Sequence, residues 1–142
     1  MKINVVLDKD AYMPEKAHNA DAGFDIRCRE EVIIEPHGSP YDSHFFDTGV
    51  RVEIPQGYVG FLKSKSGLNV KHGILSTGVI DSGYTGTIGV KLYNLGKSAY
   101  HVKKGDKITQ LVILPIPEVE MTQINSLEKT ERNEGGFGST GR

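Results

Sequence analysis

Gly78-Val-Ile-Asp-Ser-Gly-Tyr-Thr-Gly-Thr-Ile-Gly-Val-Lys-Leu-Tyr93 reads as two extended runs around a turn. Thr87 to Tyr93 alternates apolar and polar residues with the period of two that a half-buried strand requires. Asp81-Ser-Gly-Tyr-Thr-Gly86 is turn chemistry, because an Asp side chain bonds nearby backbone and glycine tolerates positive φ. From the residues alone the segment is a β-hairpin with an Asp-initiated turn.

The same texture extends in both directions. Ile3–Leu7, Asp25–Arg29, Glu31–Glu35, Phe46–Ile54, Tyr58–Lys63, Gly73–Leu75, Tyr100–Val102, Ile108–Pro115 and Val119–Ile124 are short strand-like runs. Val50, Val52 and Ile54 fall on one face, Pro55-Gln-Gly57 and Lys104-Gly-Asp106 are turns, and all six prolines lie at run ends, as strands require. Helical periodicity is confined to Ser66–Lys71, one or two turns that Ser66 is placed to cap. Many short strands at close spacing predict an all-β sandwich or barrel with at most one short helix. The 142 residues suit one domain over 1–142, with a β core over 1–127 and a flexible C-terminal arm over 128–142.

Composition narrows the function. Charged residues make up 25% of the chain and the formal net charge is −1, so nothing marks a nucleic-acid-coating protein. The single Cys28 excludes an intrachain disulfide framework and fits a reducing cytoplasm; in a strand it reads as a small core residue. The N-terminus is apolar too briefly for a signal peptide, and no run reaches the length of a transmembrane helix. The five histidines have no ligand spacing.

Five stretches carry candidate chemistry. Asp81 at a hairpin mouth is placed to orient and deprotonate a water, with Tyr84 beside it to pack on a sugar, although a plain turn explains both. Lys63-Ser-Lys-Ser-Gly-Leu68 is a basic turn or an anion site built from Lys65, Ser66 and helix amides. Gln110 interrupts an apolar strand. Asp21 and Asp25 flank a glycine as solvated acids or as the outer shell of a metal. The tail, Arg132-Asn-Glu-Gly-Gly-Phe-Gly-Ser-Thr-Gly-Arg142, has too little apolar surface to fold alone. It nonetheless carries a ring, hydroxyls and a guanidinium suited to closing over a nucleotide. The 37–46 segment, rich in aromatics, is a candidate partner surface, although a surface connection with its rings tucked in explains it more simply.

The order of these stretches is more specific than any one of them. Asp-Ala-Gly-Phe-Asp (21–25), Ser-Lys-Ser-Gly-Leu (64–68), Gly-Val-Ile-Asp-Ser-Gly-Tyr-Thr-Gly (78–86), Gly-Asp-Lys-Ile-Thr-Gln-Leu (105–111) and Gly-Gly-Phe-Gly-Ser-Thr-Gly (135–141) resemble the five successive motifs of the trimeric dUTP diphosphatase (dUTPase) family. The resemblance implies a jelly-roll-like β-sandwich and a homotrimer with active sites shared between subunits. It implies Mg2+-assisted hydrolysis of dUTP to dUMP and pyrophosphate, which keeps uracil out of DNA and supplies dUMP for dTTP synthesis. It implies Asp81 as the residue that activates water and Tyr84 as the ring that excludes a 2′-hydroxyl. It implies that backbone of Gly78, Val79, Ile80 and Gly89 reads uracil. It implies Lys65, Ser66, Gly67 and Gln110 as phosphate binders, with Arg132, Ser139 and Thr140 of the tail, and Phe137 with Gly138 as the cover on the base. The resemblance also implies Mg2+ held by phosphates and water, with Asp25 facing either that metal-water network, as an outer-shell residue, or the channel shared by the trimer.

Three residues depart from the family pattern. Lys65 stands where an arginine is usual and lacks the bidentate fork; Asn133 replaces a glycine; Thr85 replaces a common arginine. The rival dCTP deaminase reading requires a glutamate in the strand Thr87–Tyr93, which contains no acid. A non-catalytic nucleotide sensor is the rival from another class, opposed by Asp81, Tyr84 and the complete tail.

Overall fold

The computed structural model describes residues 1–136. In chain order the elements are β1 (Val5–Leu7), β2 (Gly23–Arg27), β3 (Val32–Ile34), β4 (Ser43–Asp47), β5 (Val50–Val52), β6 (Tyr58–Lys63), α1 (Ser66–His72), β7 (Ile74–Leu75), β8 (Thr77–Ile80), β9 (Gly89–Asn94), β10 (Tyr100–Val102) and β11 (Lys107–Pro115). A four-stranded sheet runs β2-β11-β6-β8 and a three-stranded one β4-β9-β7, with β1 pairing β5 and β10 pairing β3. Each pairing is antiparallel. The result is an all-β, jelly-roll-like sandwich with one short helix.

Alternation explains the interior. Val90, Leu92 and Asn94 of β9 face inward, as do Val50 and Val52 of β5, and the four aliphatic side chains meet Ile26, Ile34, Phe46, Leu62 and Ile108 in one cluster. Fully burying a large aliphatic side chain contributes about 1.5–3 kcal/mol, so this cluster dominates the stability of the sandwich. Asn94, the polar member, is fully satisfied: its amide donates to the carbonyls of Ile34 and Ser98 and its oxygen accepts from Gly96 N–H. Cys28 is buried, its thiol donates to the Lys103 carbonyl at 3.0 Å, and burial pushes its ionisation upward, away from nucleophile chemistry.

The structure departs from the sequence reading at five places. The expected run Phe46–Ile54 is two strands, because Gly49 takes φ +66° between β4 and β5 and turns the chain. The second half of the 37–46 segment is strand β4, with Phe46 buried but Tyr41 and Phe45 exposed. β8 and β9 do not form the expected hairpin. They belong to different sheets, since Ile88 N–H bonds the Val50 carbonyl and Thr48 N–H bonds the Ile88 carbonyl, drawing β9 away from β8. Ser66 is the first helical residue rather than the cap; extended Lys65 occupies that position, with no side-chain bond to the helix. Val119–Ile124 is not a strand, because nothing among the described residues pairs with it; Ile116, Val119, Met121, Ile124 and Leu127 all lie exposed. No helix among the described residues is long and apolar enough to cross a membrane.

Candidate active site

One end of the four-stranded sheet gathers cations and phosphate-compatible donors around a single buried acid. Gln110 of β11 lies opposite both Asp25 of β2 and Lys63 of β6. Beyond Lys63 the chain turns through Ser64 and Lys65 into α1, and the peptide at Ser64 is pinned from several sides. Ser64 Oγ donates to the Ser76 carbonyl at 3.0 Å and accepts from Ser76 N–H at 2.8 Å. Gln110 Nε2 donates to the Ser64 carbonyl at 3.1 Å. Thr109 Oγ1 donates to the Lys63 carbonyl at 3.0 Å. Its proton being spent there, the buried Ser76 hydroxyl is the donor in the 2.8 Å Ser76–Thr109 contact. Gln110 lies flat because Gly23 beneath it has no side chain; a Cβ there would collide with the amide.

Asp25 is 7% exposed and accepts from two ammonium groups, Lys65 Nζ on Oδ1 and Lys107 Nζ on Oδ2, the latter at 2.6 Å. Burial alone pushes the Asp25 carboxyl up, but the hydrogen bonds from Lys107 and Lys65 outweigh it and hold the group below its ordinary range. Ser66 and Gly67 follow at the exposed first turn of α1, where backbone N–H groups lack intrahelical partners.

Asp81 and Tyr84 occupy the other end. The chain leaves β8 at Ile80 and turns through Asp81–Tyr84, closed by Tyr84 N–H to the Asp81 carbonyl at 3.3 Å, with Gly83 at φ +84°. That φ requires glycine at low cost. Asp81 is exposed and, among the described residues, makes no salt bridge. The Tyr84 ring folds over Gly86, and its hydroxyl donates to the Thr87 carbonyl at 3.0 Å. Gly78 packs against Leu62, Val79 is exposed and Ile80 is buried. Gly89 is covered by the Phe45 ring, whose place a Cβ would take.

The two ends do not meet within one chain. β8 runs against β6 so that Thr77 faces Lys63 and Ile80 faces Gly60. Asp81 and Lys65 therefore stand about six residues apart along the sheet, roughly 20 Å if extended. Lys65, Gln110 and Asp25 are brought together; Gly78, Val79, Ile80, Asp81 and Tyr84 lie along β8 and the turn that follows it, while Gly89 opens β9 in the other sheet. Arg132 joins neither: its guanidinium donates to the Gly135 carbonyl at 2.8 Å, next to a reciprocal pair between Thr130 and Asn133. Phe137, Gly138, Ser139 and Thr140 lie outside the described residues. Sequence reasoning missed Ser64, Ser76, Thr109 and Lys107. The usable signal was a lysine opening an otherwise apolar run and a hydroxyl beside Gln110.

Among the described residues no three His, Cys, Asp or Glu side chains converge on one point. Each Asp25 oxygen already holds an ammonium, and Asp81 has no charged partner among the described residues. This donor set fits a hard cation that arrives on the oxygens of a polyphosphate rather than one caged by protein carboxylates.

Comparison with known proteins places the chain in a family. The dUTPase family model matches residues 9–141. The deoxyuridine 5'-triphosphate nucleotidohydrolase of Clostridium kluyveri is 43% identical over 138 residues, covering 95% of this chain and 94% of that one. The enzyme of the same name from Cutibacterium acnes is 42% identical, covering 91% and 85%. Among solved structures, the Staphylococcus bacteriophage 80alpha dUTPase with dUPNHPP superposes with a TM-score of 0.85 at 38% identity, covering 99% of both chains. A mutant dUTPase from phage phi11 of S. aureus, studied for its coordination of a structural Mg(II) ion, gives 0.81 at 34% identity, covering 91% and 100%. With the motif order, the sandwich and these likenesses in agreement, the chain belongs to the dUTPase family.

Proposed function

We propose that this protein hydrolyses dUTP to dUMP and pyrophosphate in a homotrimer whose sites are shared between copies. The observation that carries the reading is the separation of Lys65 and Asp81 at opposite ends of one sheet. A phosphate-binding end and a water-activating end so far apart make one site only when a second copy supplies the missing half. The exposed Ile116, Val119, Met121, Ile124 and Leu127 support assembly, since a row of apolar side chains with no partner among the described residues finds cover on another copy.

In the proposed site, backbone at Gly78–Ile80 and Gly89 reads the uracil edge, and Tyr84, braced by Thr87, packs on the deoxyribose. Lys65, the amides of Ser66 and Gly67, Gln110 and Arg132 offset the charge of the triphosphate, with Ser139 and Thr140 on the terminal phosphate and Phe137 with Gly138 over the base. Asp81 takes a proton from water at its carboxylate. The water oxygen bonds the α-phosphorus while the bond from that phosphorus to the bridging oxygen breaks, and pyrophosphate leaves with the bridging electron pair. Mg2+, when bound to the phosphates, supplies charge neutralisation across them. Asp25 acts on this site through the lysines it holds. Such an activity removes dUTP from the pool available to DNA synthesis and supplies dUMP.

Pyrophosphate release measured across the deoxynucleoside triphosphates, with and without Mg2+, tests the reaction. Release from dUTP in the presence of Mg2+ is expected; ammonia from dCTP, or binding of dUTP without release, rejects the reading. Shared sites are tested by mixing. Asp81→Asn and Lys65→Met proteins, each nearly inactive alone, are expected to regain activity when co-refolded. The recovery is about a quarter of wild type, the chance that a random 1:1 assembly joins an intact Lys65 to an intact Asp81 across one interface. No recovery means that both residues serve one copy's own site.

A further inference from the structure

Lys65 presents a physical difficulty. A phosphate-binding ammonium tied to a buried carboxylate must leave that carboxylate before it serves a substrate, and an unpaired buried carboxylate is costly. The structure assigns Lys107 the task of removing that obstacle: it is a positioning residue that keeps Asp25 paired while Lys65 turns to the phosphates. This inference rests on the proposed reaction at the same site.

The placement of Lys107 is a built feature of β11. In an unbroken strand, Lys107 would share a face with Thr109 and Leu111, both buried. The register against β2 shifts instead: Lys107 faces Arg27 while Thr109 faces Ile26, so two residues of β11 oppose one of β2. That β-bulge buries Ile108 and Thr109 in succession and turns Lys107 onto the face occupied by Asp25 and Gln110.

The surrounding charges leave the role to Lys107 alone. Arg27 is directed to the Gly105 carbonyl at 2.8 Å. Lys63 lies over the Phe61 ring. Asp25 therefore has two cationic partners among the described residues, one per oxygen. With both lysines in place the cluster carries one net positive charge, so releasing Lys65 leaves a neutral pair behind. A lysine at position 65 suits this exchange, because a single-point donor leaves one carboxylate oxygen without breaking a bidentate fork.

The test compares Lys107→Gln, Lys107→Arg, Asp25→Asn and the double variant Asp25→Asn/Lys107→Gln. Two readouts are used: kcat and KM for dUTP, and the Kd of inorganic pyrophosphate with Mg2+ by calorimetry. Lys107→Gln is expected to raise KM and the pyrophosphate Kd about tenfold, with kcat changed much less, because Lys65 is then held back by an acid with no other partner. The double variant is expected to bind pyrophosphate more tightly than Lys107→Gln, since the acid that restrains Lys65 is gone. Lys107→Arg, whose fork takes both Asp25 oxygens, is expected at or below the wild-type KM. Wild-type affinity in Lys107→Gln, equal defects in the single and double variants, or a raised KM in a folded Lys107→Arg protein overturns the inference. Pyrophosphate affinities in the expected order across the variants, with no hydrolysis of dUTP by the wild-type protein, sink the proposed reaction and leave this inference standing.

Discussion

Asp81→Asn is expected to lower kcat for dUTP about a thousandfold while leaving dUTP affinity close to wild type. The change is nearly isosteric, and the fold makes no use of the negative charge. Asp81 is exposed, forms no salt bridge among the described residues, and closes its turn through its backbone carbonyl to Tyr84 N–H. An amide in its place keeps the turn and accepts no proton from water. Pyrophosphate release and equilibrium binding of dUTP, measured on the same preparation, separate the two effects. A variant that hydrolyses at the wild-type rate removes Asp81 from the reaction, and one that no longer binds dUTP makes it a binding residue.

Ending the chain at Arg132 is expected to reduce kcat/KM for dUTP about a hundredfold or more, with the melting temperature and oligomeric state unchanged. The stability half of this prediction follows from burial. The core closes with Ile108, Thr109 and Leu111, and Leu114 to Glu134 lie exposed. The activity half follows from chemistry: the cut removes the proposed cover on the base, Phe137, and the hydroxyls of Ser139 and Thr140. Rate assays and a thermal melt of the truncated chain decide it. Full activity frees these residues from any role in turnover, and loss of the folded core would make the tail a structural element.

The strands were legible wherever alternation met a turn residue. Tyr58–Lys63 and Tyr100–Val102 appear with the bounds their patterns predicted. Two kinds of feature were not legible. Pairing partners are a property of the whole sheet, so the segment around Asp81 read as a hairpin although β8 and β9 go to different sheets. Register is equally hidden: without the bulge, nothing in Lys-Ile-Thr-Gln says that Lys107 shares a face with Asp25. The proposed site residues rest on motif order, whereas the braces Ser64, Ser76 and Thr109 are ordinary hydroxyl residues until the fold brings them against one another. Val119–Ile124 shows the reverse error, a strand-forming pattern that finds no neighbour among the described residues.

That unpaired segment bears on what a stability measurement means. An isolated copy holds Met121 92% and Leu127 85% exposed. Whatever free energy is gained by covering such residues on another copy is set by mass action, growing with the logarithm of protein concentration. The melting temperature is then a function of dilution rather than a constant of the chain, and it is expected to climb as the concentration of the sample is raised. A melting temperature independent of concentration would mean that these side chains stay in water.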